Sequence, residues 1–235
     1  TVPIVLVVGL ILQSKFYTAL LIFIMSTMII FIAGYKLKHL TVLFLLFIFL
    51  ISSFLYAVNK FPDIIPNRVD TWTNRIENFV NNDIDDTSNY QINRAKAAIA
   101  NGKIFGVGAG KSSMKYILPQ STSDFIFSII AEEYGIIVSL IILLLYVVLL
   151  FRIVITSYRS QTKFGQLVSV AVGIPVVFQA FTNMAVAVQL IPVTGQPLPL
   201  VSTGGTSIWI TFLAMGILLS VSKNKIKYNT VAIDD

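Results

Sequence analysis

The sequence contains no cysteine, and only 12% of its 235 residues are charged. Without cysteine, disulfide frameworks and thiolate metal sites are excluded, and the redox compartment is left undetermined. Soluble domains carry roughly 25% charged residues, so half that proportion argues against a domain surrounded by water. No internal repeat or low-complexity tract is visible, so nothing points to a repeat architecture. Neither a start methionine nor a basic n-region precedes the apolar run Val2–Leu12. That run is therefore read not as a signal peptide but as a helix cut by a fragment boundary, too short to cross a bilayer alone.

What the chain has in abundance is apolar surface. Hydrophobic residues make up 56% of it, and the mean hydropathy is +0.83. They cluster in Tyr17–Gly34, Thr41–Val58, Ile136–Phe151, Phe164–Val188 and Leu198–Val221. A bilayer crossing takes about 20 apolar residues, and five segments reach that length once the third is extended back to Phe125. The predicted fold is an all-α polytopic membrane helix bundle. It carries a large extracytoplasmic loop between the third and fourth segments, counting Val2–Leu12 as the first. The chain divides into a partial helix plus two transmembrane helices (1–58), the loop with short helices (59–123), three transmembrane helices (124–222) and a cytoplasmic tail (223–235).

Orientation follows from the short connections. Lys36 and Lys38, then Arg152, Arg159 and Lys163, then Lys223, Lys225 and Lys227 all fall on one side if the segments alternate. The opposite short connections carry only Lys15. By the positive-inside rule the basic side is cytoplasmic, so the net charge of +6 requires no nucleic acid. The long segment Asn59–Ser123 is then external.

Within it, "KIFGVGAGKSSMKY" (Lys103–Tyr116) ends its glycine run in Gly-Lys-Ser-Ser. A P-loop requires a glycine five residues before Gly110, where Phe105 stands. A G-x-G-x-x-G pattern fails as well, because Lys111 occupies its third glycine position. ATP and GTP are cytoplasmic, and this loop faces away from them. Its glycines are expected to give a tight backbone close to a lipid headgroup or a phosphate, or else a plain turn. Upstream, Ile92–Ala100 is predicted as a short amphipathic helix carrying Arg94 and Lys96. Trp72 and Tyr116 suit interfacial anchors. Asp83, Asp85 and Asp86 resemble a calcium loop only superficially, since Ser88 and Arg94 stand where Gly and Glu are needed.

Three carboxylates mark the return to the membrane: Asp124 at the mouth, then Glu132 and Glu133. Intramembrane carboxylates are costly and by default mark a path or a site. On one helix Glu132 would lie ~12 Å from Asp124 along the axis and roughly 80° around it, too far for a glycosidase pair at about 5–9.5 Å. Asp124 would thus act alone or with partners from other segments, or else serve as a helix N-cap. The alternative for Glu132 and Glu133, internal hydrogen-bond partners in the bundle, stays open. A second polar cluster, "QLIPVTGQPLPLVSTGGTS" (Gln189–Ser207), is too rich in proline and glycine for a regular helix. Such backbone is tolerated at membrane depth only where protein or a water-filled cavity surrounds it. It lies on the same side as Asp124.

At these residues the chain resembles a known family. "NGKIFGVGAGKSSMKYILPQSTSDFIFSIIAEEYG", "NMAVAVQLIPVTGQPLPLVSTGGTSIWI" and "QSKFYTALLIF" are similar, in order, to signatures of the SEDS family (shape, elongation, division and sporulation). The likeness is greatest to its cell-division type, ahead of its elongation type. Members have ten transmembrane helices, of which this chain would hold the last five and part of another, so the fragment alone is expected to be inactive. The resemblance implies a peptidoglycan glycosyltransferase polymerising lipid II at the outer face of the bacterial cytoplasmic membrane, at the division septum. It implies Asp124 as catalytic residue. Arg94, Lys96, Lys111, Glu132, Ser202 and Gly204 are assigned to substrate binding, with Lys115 a further cation. The implied partners are lipid II, a polyprenyl-pyrophosphate-linked glycan, a class B penicillin-binding protein transpeptidase and other division proteins, with no nucleic acid. No cofactor is certain; a divalent cation is a candidate. The chain departs from the family at Ser14 and Lys15, where Pro-Asp is frequent, at Thr203, where an aromatic is frequent, and at Lys111, where Asn is frequent. A lipid II transporter and a scaffold that only recruits a transpeptidase are the rival functions.

Overall fold

The computed structural model describes residues 2–12, 16–60 and 87–231. Ser14, Lys15, Trp72 and the acidic trio Asp83, Asp85 and Asp86 lie outside them. Among the described residues the secondary structure is entirely helical: α1 (Val2–Leu12), α2 (Phe16–Ile32), α3 (Leu37–Lys60), α4 (Thr87–Gly102), α5 (Met114–Ile117), α6 (Ile126–Arg159), α7 (Lys163–Ala187) and α8 (Gly205–Val231). In lipid every backbone N–H and C=O must be satisfied internally, which leaves helices as the economical solution. Among the described residues four helices are long and apolar enough to cross a membrane: α3, α6, α7 and α8. The chain is a multi-pass helical membrane protein. α2, with 17 residues, is shorter than these four, although the sequence run Tyr17–Gly34 is long enough to count as a crossing.

Several boundaries move outward from those read in the sequence. α3 begins at Leu37, which draws Lys38 into its first turn. α4 is 16 residues long, starting five residues before the predicted Ile92. Arg152 and Arg159 belong to α6 and not to a connection. α8 continues through the predicted tail to Val231. Hydropathy marks the part of a helix in contact with lipid, whereas backbone hydrogen bonding carries a helix on into water.

The chain divides into two compact units, Thr1–Glu77 and Asn78–Asp235, with the division inside the predicted loop. In the first, α1–α3 meet through Val8, Leu12, Ala19, Phe23, Leu43 and Phe47. The Phe23 and Phe47 rings stack at 3.9 Å.

In the second unit, α6 and α7 run antiparallel, joined by a three-residue turn capped where the Thr162 hydroxyl accepts from Gly165 N–H at 3.1 Å. Gly173 lets α7 approach Ile153 of α6 closely. Val177, Ile153 and Leu218 fill the end of the bundle where α8 joins. At the other end Phe127, Tyr146, Ala180, Met184 and Leu198 form a larger core. α4 lies against α6 through Ala95, with Phe125, Ile129 and Leu118. Arg152, Arg159, Lys163 and Lys223 are exposed at or near the end with the α6–α7 turn, and Asp124 is at the opposite end. Applying the positive-inside rule to this unit, cysteines placed at Ala109 and Gln161, both exposed, should differ in intact cells. An impermeant thiol reagent is expected to label position 109 and spare 161; the reverse pattern would invert the topology.

Candidate active site

α6 is not one continuous helix. Gly135 adopts φ 82° and ψ −179°, which breaks the hydrogen-bond ladder and separates a short outer section from the run that begins at Ile136. The run to Arg159 is about 24 residues, ~36 Å at 1.5 Å per residue, enough to cross a bilayer by itself. Glu132 and Glu133 therefore stand on the outer section, before the apolar run begins.

The glycine loop heals this break. Val107 N–H donates to Glu132 O at 2.9 Å, Gly108 N–H to Glu133 O at 3.0 Å, and Ile136 N–H to Lys103 O at 3.0 Å. Backbone groups freed by the kink are thus re-satisfied by the loop, as a broken membrane helix requires. The approach is so close that side chains are excluded on both sides. A Cβ on Gly106 would lie 2.2 Å from Glu133 O, and one on Gly135 would lie 2.2 Å from Ile104 O. The close approach expected of the loop is realised against the helix backbone.

Glu132 secures the rest of the loop. It is 1% exposed, and its carboxylate accepts from the Ser112 hydroxyl, from the Ser113 hydroxyl at 3.1 Å, from Met114 N–H at 3.3 Å and from Asn101 Nδ2 at 3.4 Å. Three of these donors stand at the entry into α5 and the fourth near the end of α4, so one side chain ties the two ends of the loop. This is the internal-partner role left open by the sequence.

Asp124 sits at the junction of this assembly with the segment 188–204. Three consecutive carbonyls are tied to that segment or to the helix before it. Thr203 N–H and its hydroxyl donate to Thr122 O at 3.1 and 3.0 Å. The Ser202 hydroxyl donates to Ser123 O at 2.6 Å, and Asn183 Nδ2 to Asp124 O at 2.6 Å. The same Asn183 nitrogen donates to Gln196 O at 2.7 Å, so one amide ties both segments. Gln179 donates to Pro197 O at 3.0 Å, and the Tyr146 hydroxyl donates to Pro199 O. The irregular segment is thereby held by side chains from α6 and α7.

The Asp124 carboxylate is left partly exposed, accepting from the Ser123 hydroxyl at 2.8 Å. It faces Gly195, where a Cβ would lie 3.6 Å from Oδ2. The N-cap position of α6 is taken by Phe125, with no side-chain capping bond. Asp124 is therefore one residue too early to cap the helix.

The other predicted residues separate into those at this junction and those away from it. Ser202 is at the junction, but its hydroxyl is committed, donating to Ser123 O and accepting from Leu198 N–H at 2.7 Å. Gly204 follows it as α8 begins. Lys96 reaches from α4 to the Gln189 side chain at the start of the segment. Arg94 lies over the Tyr90 ring of its own helix at 5.0 Å. Lys111 is exposed and runs along Gly108. Among the described residues no group of three or more His, Cys, Asp or Glu side chains is placed to hold a metal ion.

Asn183, Gln179 and Tyr146 were not singled out from the sequence. A signal existed for the two amides: polar side chains in an apolar helix are expected to bond across to a neighbour.

Comparison with known proteins agrees with this architecture. The model of the cell cycle protein family named for FtsW, RodA and SpoVE matches residues 1–227. The chain is 34% identical over 199 residues to stage V sporulation protein E of Bacillus subtilis, covering 83% of this chain and 50% of that protein. It is 31% identical to the probable peptidoglycan glycosyltransferase FtsW of the same organism, covering 89% and 52%. To the FtsW of Enterococcus hirae it is 41% identical over 139 residues, covering 59% and 35%. The chain thus spans about half, or less, of the length of the curated relatives it matches. Among solved structures, a chain of a peptidoglycan synthase complex that coordinates polymerization and crosslinking superposes with a TM-score of 0.65 at 26% identity, covering 93% of this chain and 59% of that one. The chain belongs to the FtsW, RodA and SpoVE family of cell cycle proteins.

Proposed function

We propose that the full-length protein is a peptidoglycan glycosyltransferase that polymerises lipid II at the outer face of the cytoplasmic membrane, with Asp124 as its general base. One observation carries this reading. The main chain of Thr122–Asp124 is tied on three successive carbonyls, while the Asp124 carboxylate, partly exposed, accepts among the described residues from a serine hydroxyl and faces a glycine. The backbone is held more tightly than the functional group. The names of the relatives support the reaction class.

The acceptor is the sugar 4-hydroxyl of the incoming lipid II, a weak nucleophile until a base accepts its proton as the new glycosidic bond forms. The donor sugar is attached to polyprenyl pyrophosphate. As that bond breaks, the pyrophosphate leaves with the electron pair and needs no proton from a second carboxylate. Cations stabilise the developing charge. Lys96 is the cation tied to the 188–204 segment, with Arg94, Lys111 and Lys115 available from the same end of the unit. Glu132, saturated by four donors, positions the loop and does not contact substrate. That also counts against a transport path through it.

The crosslinking partner is proposed to be a class B penicillin-binding protein, acting with other division proteins at the septum. Co-purification of the full-length protein with such a transpeptidase tests this, and its failure with every such protein would count against it.

Asn183 is a positioning residue in this scheme. A displacement of about 1 Å at a reacting group can cost 10²-fold, so Asn183→Ala is expected to lower kcat by about that factor while changing KM less. A raised KM with kcat unchanged would show that Asp124 does not depend on the tether.

A further inference from the structure

The glycine loop holds its most apolar residues outward. Phe105 is 82% exposed, Ile104 beside it is exposed, and Tyr116 of α5, which follows the loop, is 86% exposed. A loop free to rearrange would fold such side chains inward. This one is held by the bonds to Glu132 O, to Glu133 O and from Ile136 N–H, and the glycine approaches that allow those bonds leave no space beneath it. The tip is therefore displayed by a fixed backbone.

Its level along α6 is also fixed. Lys103 O accepts from Ile136 N–H, and Ile104 O and Gly106 N lie against Gly135. The tip stands where the uninterrupted apolar run of α6 begins. Residues 103–117 contain Lys103, Lys111 and Lys115 and no acidic residue. Exposed apolar side chains among cations, level with the start of a crossing helix, match an interfacial lipid-binding element.

We propose that the turn Lys103–Val107 is a membrane anchor, its Ile104 and Phe105 side chains inserted at the headgroup/acyl boundary and Lys103 facing anionic headgroups. The anchor sets the height of the loop held by Glu132 relative to the lipid phosphates. It stands independently of the role given to Asp124.

Because this chain has no cysteine, a single label is simply introduced. A nitroxide on Phe105→Cys of a full-length protein otherwise free of cysteine would be measured in nanodiscs of zwitterionic and anionic phospholipid. Ala109→Cys, exposed on the same loop, is the comparison. Position 105 is expected to be reached by oxygen in preference to a water-soluble nickel chelate, at a depth of about 5–10 Å, whereas position 109 favours the chelate. Chelate access at 105 equal to that at 109 would put the tip in water. Exclusion of both reagents from 105 would put it against protein. Either outcome overturns the proposal.

Discussion

Asp124→Asn in the full-length protein is expected to reduce lipid II polymerisation by about 10²–10⁴-fold, the usual contribution of a general base. The structure separates this effect from misfolding. The Asp124 main chain is held through its N–H to Gln120 O at 3.1 Å and through Asn183. Neither bond uses the carboxylate. The Ser123 hydroxyl that now donates to Oδ1 can donate equally to an amide oxygen. Since Phe125 occupies the N-cap position, no helix cap is lost. Thermal stability and partner binding should therefore remain at wild-type levels while turnover collapses. Near wild-type turnover in folded Asp124→Asn protein would remove the catalytic assignment.

The second large effect is structural. Gly135→Ala should cost about 1–3 kcal/mol for a backbone conformation only glycine tolerates, plus about 1–3 kcal/mol for a methyl forced into a filled space. The obstructing atoms are the Ile104 carbonyl and Gly106 N, backbone that the neighbouring hydrogen bonds hold in place. Gly106→Ala meets the mirror-image problem against Glu133 O. Set against total stabilities of about 5–15 kcal/mol, either substitution should sharply lower the melting temperature in detergent, and with it the yield of folded protein. Gly216→Ala is the control. It lies in the regular helix α8 with open space around it, and the change there should be neutral or slightly stabilising. Equal melting temperatures for the Gly135 and Gly216 variants would refute the docking of loop on helix.

These two regions differ in how far the sequence discloses them. The order of the long helices follows from hydropathy, because a bilayer crossing imposes a length that few other structures need, although α2 is shorter than the segment read there. The convergence of Asp124 with "STGGTS" follows from counting crossings. The break at Gly135 does not. An isolated glycine inside an apolar run is as compatible with an unbroken helix, and the pattern is apolar on every face, so no period signals the change. What occupies the break is a loop some 30 residues earlier in the chain, a long-range pairing that no local pattern encodes. For the same reason the glycines of "GVGAGK" read as a phosphate cradle or a turn, when Gly106 and Gly108 meet the α6 backbone.

Ser202 shows a different limit. Its residue type suits contact with substrate, but in the fold its hydroxyl joins Ser123 and Leu198. Asn183 is the opposite case: nothing in its local sequence suggests catalysis, yet it ties Asp124 to the turn at Gln196.

The central claim is that this end of the bundle joins sugars and does not merely move or recruit a lipid. Purified full-length protein, presented with lipid II in detergent micelles, tests it most directly, because no membrane then separates two compartments and transport has no meaning. Glycan strands, formed by the wild type and lost in Asp124→Asn, are the expected result. Folded wild-type protein that leaves lipid II monomeric in micelles, yet carries it across the bilayer of sealed vesicles, would contradict the account.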